Sequence, residues 1–268
     1  MTTQTFGPSD QASLPVFRVL LVVQALATVV FGVVPLAVPE TFASITGYSG
    51  NDPIVYRLAG AATAGYLIAA IVALVGRKRW ADLRIPIAAT LTFNAAAVVS
   101  SVLAIVGGDS HWVVFVVLLA AAAFLALATY WLRRDEGAPV LTGNGLDQAS
   151  RILIGLATLS AGVFGLLPLI IPVTFASLFG LVGTDVWIFR MAGSACLGYA
   201  VGGLLELRAP GYGPIAVQNL AAIAFNAFAA VASWLALASG SGGLLAPIVA
   251  VAATFFAFAL GWLAVRDR

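Results

Sequence analysis

FGVVPLAVPETFASITGYSGNDPIVYRLAGAATAGY, residues 31–66, returns as FGLLPLIIPVTFASLFGLVGTDVWIFRMAGSACLGY, residues 164–199, without a gap and with half of the positions identical. A motif that keeps Pro, Gly, Asp, Arg and Tyr in register is not produced by a shared apolar bias. An internal repeat therefore fixes the architecture before any single element does. One gap later, Phe93, Asn94 and Ala95 match Phe225, Asn226 and Ala227, and after a second gap Trp131 and Leu132 match Trp262 and Leu263.

The chain around this repeat has 268 residues, 62% of them hydrophobic and 9% charged, with a mean hydropathy of +1.05. A soluble domain averages about 45–50% apolar and about 25% charged residues, so this composition could not cover a water-facing surface. Lipid accepts it. A membrane-spanning helix needs about 20 mostly apolar residues, and eight runs qualify: 17–38, 54–75, 85–106, 112–132, 152–171, 186–207, 215–237 and 244–265. Their continuity favours helices over barrel strands, which alternate apolar and polar positions. The expected fold is all-α, a polytopic membrane protein of two parallel four-helix repeats. A polar N-terminal segment covers 1–16, the repeats 17–134 and 150–268, and a cytoplasmic linker 135–149 carries Gly137, Pro139, Gly143 and Gly145. The first run is too long for a signal-peptide core and is read as a retained span.

With eight spans, Arg18, Arg77, Lys78, Arg79, Arg84, Arg133, Arg134, Arg151, Arg208, Arg266 and Arg268 fall on one side, and Arg57 and Arg190 on the other. The positive-inside rule then puts both termini in the cytoplasm of a bacterial-type plasma membrane. A net charge of +2 gives no reason to expect a nucleic-acid partner. One cysteine, Cys196, excludes an internal disulfide. One histidine, His111, argues against a histidine-rich metal site, and no metal site is expected.

The repeated segment also has a local reading. Pro35 and Pro39, or Pro168 and Pro172, end the first span of each half. Thr41 and Thr174 can N-cap a short interfacial helix, which Gly47 and Gly180 stop. Phe42 with Ile45, and Phe175 with Leu178, are expected to dip into lipid. Small residues four apart, Ala61 and Gly65 or Ser194, Gly198 and Gly202, make the second span of each half the pair that meets near the centre. This layout, with Arg57-Leu58-Ala59-Gly60 and Arg190-Met191-Ala192-Gly193 opening those spans, resembles the small four-helix DoxX-like bacterial membrane modules. Those modules stand singly, whereas this chain is doubled. The resemblance implies an association with redox or quinone-linked membrane complexes and supplies no catalytic residue.

The candidate binding residues come in repeated pairs. Asp52 with Arg57, and Asp185 with Arg190, lie five apart across the turn into a helix. Each carboxylate suits a helix start and can pair with its guanidinium. They form either structural clamps or two arginine forks in a shared outer vestibule that takes a small anion. Asn94 and Asn226 lie mid-span, and Tyr66 and Tyr199 lie two to three turns beyond the arginines. A Tyr–Asn bond would satisfy both as interhelical glue, or the four line a pocket between the halves for a lipid-like or quinone-like head. Three features break the repeat: Gln24, where the partner position is Ala157; Glu206, opposite Ala73; and Gln218 with Asn219. Glu206 is a proton-carrier candidate if buried, but its place near the interface suggests a solvated carboxylate that Arg208 neutralises. His111 beside Asp109 and Trp112 reads as a titrating pair or as an interfacial anchor.

No nucleophile elbow, HExxH, P-loop or dinucleotide fingerprint occurs in the sequence. The leading expectation is a non-catalytic binding or accessory membrane protein, for which a membrane complex is one candidate partner; the sequence leaves any cofactor unknown. The alternatives are a transporter of a small anionic or lipid-like solute through a cavity between the repeats, and a quinone- or lipid-linked enzyme component.

Overall fold

The computed structural model describes residues 14–76, 82–134 and 145–266, and every regular element among them is helical. The polar N-terminal segment up to Ser13, the basic stretch Arg77–Arg79, linker residues 135–144 and Arg268 lie outside the described residues. The first half contains α1 (Leu14–Thr28), α2 (Pro39–Thr46), α3 (Pro53–Val75), α4 (Arg84–Val106) and α5 (Trp112–Arg134). The second contains α6 (Gln148–Ile170), α7 (Pro172–Leu178), α8 (Val186–Glu206), α9 (Ala216–Ala238) and α10 (Leu245–Arg266).

Seven of these helices are long and apolar enough to cross a membrane, and the pair within residues 21–46, bent by 120°, makes eight when counted as one span. Large apolar side chains such as Leu26, Leu119, Leu159, Ile170 and Phe258 are exposed. An apolar exterior of this kind faces hydrocarbon rather than water. The chain is a multi-pass helical membrane protein.

Proline sets the short helices. Pro39 and Pro172 each take the first helical position, where a fixed φ is already helical and the missing N–H would have no partner anyway. The caps are therefore Val38 and Ile171 rather than the threonines, because Thr41 and Thr174 already lie inside the first turn. Pro35 does not end the first span. It is accommodated behind a π-helical stretch, Val29–Val33, and followed by one last turn, Val34–Ala37. Gly47 stops α2 with φ 87°, and Gly180 adopts φ 68° just past α7. Phe42 and Phe175 do not enter lipid. Both are buried in the core beneath the short helices, and Ile45 and Leu178 are the residues that face outward. Residues three apart on a helix sit about 60° apart, enough for the ring to face the core while Ile45 or Leu178 lies on the outer edge of the same face.

The central helices α3 and α8 stand side by side, and each packs extensively both within its own half and across to the other. Besides its neighbour α1, α3 packs along α9; besides α6, α8 packs along α4. Consecutive α3 and α4 touch little. Around the molecule the order is α1, α3, α9, α10 on one flank and α6, α8, α4, α5 on the other. The halves are units of sequence that interleave in space.

The close approach has a local cause. A Cβ on Gly65 would fall 2.1 Å from the Tyr199 hydroxyl and 2.7 Å from the Ala221 carbonyl of α9. A Cβ on Gly198 would fall 2.2 Å from the Tyr66 hydroxyl and 2.7 Å from the Ala89 carbonyl of α4. Without side chains at these two positions, each central helix accepts a ring from the other and a backbone from the far half. At the end of the bundle where α6 begins and α10 ends, Asp147 caps α6 by accepting from the Ser150 N–H at 2.8 Å. Arg266, stacked over Trp262, reaches Asp147 at 2.9 Å. Hydrogen bonds from the Ser150 hydroxyl and N–H, then the guanidinium, push the Asp147 carboxyl down to about 2.

Candidate functional site

The repeated carboxylates are committed across the halves. Asp52 accepts from the backbone N–H groups of Val182 (2.9 Å) and Gly183 (2.8 Å). Asp185 accepts from the N–H groups of Ser49 (3.0 Å) and Gly50 (2.9 Å), from the Ser49 hydroxyl, and from the Tyr56 hydroxyl (2.7 Å). Ser49 and Gly50 are the positions that correspond to Val182 and Gly183, so each half clamps the loop of the other. The expected pairing with the guanidinium is absent. Among the described residues no carboxylate lies within 4.0 Å of Arg57 or Arg190, because both carboxylates already hold backbone donors. Neither arginine lines a cavity described below, and Arg190 Nε is buried without a partner.

The tyrosines and asparagines separate as well. Tyr66 donates to the Ala195 carbonyl at 3.2 Å and Tyr199 to the Ala62 carbonyl at 2.9 Å. The rings of Phe93, Tyr66, Tyr199 and Phe225 stack in sequence, with centroids 5.5, 4.6 and 4.8 Å apart. This stack fills the centre between the halves, so the tyrosines act there as interhelical packing rather than lining a shared pocket, the alternative the sequence offered. Asn94 and Asn226 do not bond the tyrosines. Each amide donates to a carbonyl one turn back in its own helix, Thr90 or Ala222, at 2.8 Å, since the phenols are already satisfied by the opposing backbone.

What the asparagines do line is a pair of cavities, one in each half. The first-half cavity is about 90 Å³ and is walled by Phe31, Pro35, Phe42, Asn94 and Phe124. The second-half cavity is about 110 Å³ and is walled by the corresponding Phe164, Pro168, Phe175, Asn226 and Phe256. Each borrows one strip of wall from the other half: Ile188 and Met191 of α8 for the first, Val55 and Leu58 of α3 for the second. The outer wall of each is a seam between two helices that make little or light contact, α1 with α5 and α6 with α10. Each apolar cavity thus borders a lightly packed helix–helix seam of its half.

The cavities differ at the end where the bundle carries Arg84, Arg133 and Arg208, here called the basic end. Along α8 the second-cavity lining runs from Phe189 to Glu206, about 26 Å at 1.5 Å per residue. In the first half the lining of α3 stops at Thr63, and its polar lining includes Gln24, 3.5 Å from Thr90. Below that point Leu21, Ala73, Leu83 and Trp131 pack into one buried cluster. Glu206 takes the place of Ala73 and is not the solvated, Arg208-paired carboxylate expected. It is 5% exposed, its Oε1 has no hydrogen-bond partner, and no cation lies within 4.0 Å of it among the described residues. Gln218 Oε1 and Thr158 Oγ1, which line the same cavity, are also buried and unpartnered. Each bare α8 glycine lets one of them approach: a Cβ on Gly202 would meet Gln218 Nε2 at 2.6 Å, and one on Gly203 would meet Thr158 Oγ1 at 2.0 Å. Departures from the repeat pointed to Glu206 and Gln218. Thr158, opposite Ala25, carries the same signal and was missed.

His111 belongs to a latch at the other end. Its Nδ1 is 2.6 Å from Asp109 and its Nε2 is 3.0 Å from the Gly47 carbonyl, while Tyr48 donates to Asp109 at 2.7 Å. Burial works to raise the Asp109 carboxyl, but the bonds from Tyr48 and His111 outweigh it and hold it below its ordinary value. Burial first, and the bond to Asp109 second, push the Tyr48 phenol up. This arrangement ties the loop between α4 and α5 to the end of α2. Asn219 stays in the core, donating to the Tyr212 hydroxyl at 3.0 Å.

Compared with family models, curated proteins and solved structures, the chain matches none.

Proposed function

We propose that this is a non-catalytic membrane protein that binds a lipid-like molecule in the cavity of its second half. The observation that carries the reading is the long apolar cavity beside the α6–α10 seam, ending at three buried oxygens without partners. A buried polar group left unpaired costs on the order of 1–3 kcal/mol, and that cost is relieved when a ligand head hydrogen-bonds to it. Apolar walls with a few polar groups at one end are the usual make-up of a small-molecule site, and they suit an amphiphile entering sideways from the bilayer. The sequence carries no catalytic motif to add a reaction. The alternation of the helices puts Arg18, Arg84, Arg133, Arg151, Arg208 and Arg266 at one end, which supports a cytoplasmic-membrane protein with both termini inside and a ligand head near the inner leaflet.

The span of the α8 lining favours a second reading, movement of the same class of molecule between leaflets. The experiment is to recover lipid from protein extracted gently from its own membrane, wild type beside Ala161→Trp, which fills the second cavity from α6. Binding predicts a defined lipid in the wild type that falls by about tenfold in a folded variant. Equal recovery from both, or none from either, overturns the reading. Faster lipid exchange between leaflets in vesicles containing the wild type than in those containing the variant would select transfer over binding alone.

A further inference from the structure

We infer that the ligand of the second cavity carries a hydrogen-bond-donating, cationic head of the primary-amine class, seated on Glu206, Gln218 and Thr158. This rests on the binding reading above and adds the chemistry of the head. Three buried atoms without partners, on residues that line this part of the cavity, are oxygens: Glu206 Oε1, Gln218 Oε1 and Thr158 Oγ1. An amide oxygen accepts only, an ionised carboxylate accepts only, and a hydroxyl takes either role. Among the described residues no cation lies within 4.0 Å of the carboxyl. An ammonium brings three N–H donors and one positive charge, which matches three acceptors and one carboxyl. A fatty acid or phosphate head would set acceptor against acceptor and add like-charge repulsion.

Position agrees with chemistry. Glu206 is the last residue of α8, at the basic end, and Phe175 and Phe189 lie at the far end of the same cavity. An apolar chain extending from a head on Glu206 therefore runs along the cavity toward these rings. Gly202 and Gly203 hold Gln218 and Thr158 against the turn of α8 that carries Glu206, so the three groups are placed by close backbone packing rather than by a loop. The first half, with Ala73 at the matching position, has no such acid.

The test uses the full chain in lipid nanodiscs and three probes of equal length: dodecylamine, 1-dodecanol and dodecanoic acid. Native mass spectrometry reads how much of each is retained. The expected order is amine about tenfold over alcohol, a charge-assisted bond against a neutral one, with the acid not retained. In Glu206→Gln the amine should fall to the level of the alcohol while the alcohol stays bound. In Thr158→Val the amine should fall by a smaller factor, and the unfolding temperature of both variants checks that they are folded. Retention of the acid as strongly as the amine, or an amine preference unchanged in Glu206→Gln, overturns the inference while leaving a binding cavity. Retention of none of the three overturns the cavity reading itself, and this inference with it.

Discussion

Phe31, Pro35, Phe42 and Asn94 in the first half and Phe164, Pro168, Phe175 and Asn226 in the second build two cavities with matching walls. Toward the basic end they part. In the first half Trp131 packs with Leu21, Ala73 and Leu83 and closes the space. In the second half the register of the cavity walls sets Leu263 where Trp131 stands, buried with Ile154, Ile215 and Leu260, while Trp262 is exposed under Arg266. The smaller Leu263 leaves room, and Glu206, Gln218 and Thr158 line a cavity that runs the length of α8. The difference teaches where a doubled scaffold is free to diverge. The walls are fixed by residues that also hold the helices together, such as the proline and phenylalanine positions. The end of the cavity is held by a few side chains that touch less of the structure.

Exchanging those side chains is the sharpest way to break the comparison. Ala73→Glu places a carboxyl in a packed cluster with no cavity, and should cost about 4 kcal/mol. Glu206→Leu removes an unpartnered acid from a cavity that has room, and should leave stability unchanged or raised by about 1 kcal/mol. Thermal unfolding in one detergent reads both. Equal losses from the two would mean that the two ends are not different environments.

The clamps between the halves offer a second, smaller contrast. Asp185 holds four donor groups, and Asp52 holds two backbone N–H groups. Asp185→Ala should therefore destabilise by about 3 kcal/mol and Asp52→Ala by about 2 kcal/mol, the cost of stranding these donors. The same unfolding assay checks it, and a larger loss from Asp52→Ala would reverse the ranking. The smallest effect is one of pH at the α6–α10 seam. Asp147 is held at about 2 against an ordinary 3.8. Its contribution is present above about pH 4 and is lost as pH falls toward 2, because the unfolded chain takes up the proton first. Asp147→Asn should flatten that part of the pH–stability curve, and a curve unchanged from the wild type would show that the clamp contributes nothing.

Much of this was legible in the chain. The apolar runs and the gapless repeat gave the helices, and departures from the repeat singled out Glu206 and Gln218. Asp52 and Asp185 were recognised as placed to hold something, but their partners were misread. Arg57 and Arg190 are near in sequence, whereas the true donors, in the loops at 182–183 and 49–50, are about 130 residues away. Spacing along one helix reports which residues share a face and says nothing about what the other half brings to it. Phe42 and Phe175 were misassigned to lipid for a related reason, since an apolar ring suits core and hydrocarbon equally.

The sequence by itself determined that the protein is helical, that it lives in the membrane and that its two halves share one plan, because lipid admits only helices and closed barrels, the apolar runs are continuous rather than alternating, and a repeat is visible as letters. The tertiary structure decided that the halves interleave, that stacked rings fill the space between them and that each half keeps its own cavity. It also decided that Glu206 is buried rather than solvated. These follow from which backbones can approach, and that depends on where Gly65, Gly198, Gly202 and Gly203 meet side chains and carbonyls from distant parts of the chain.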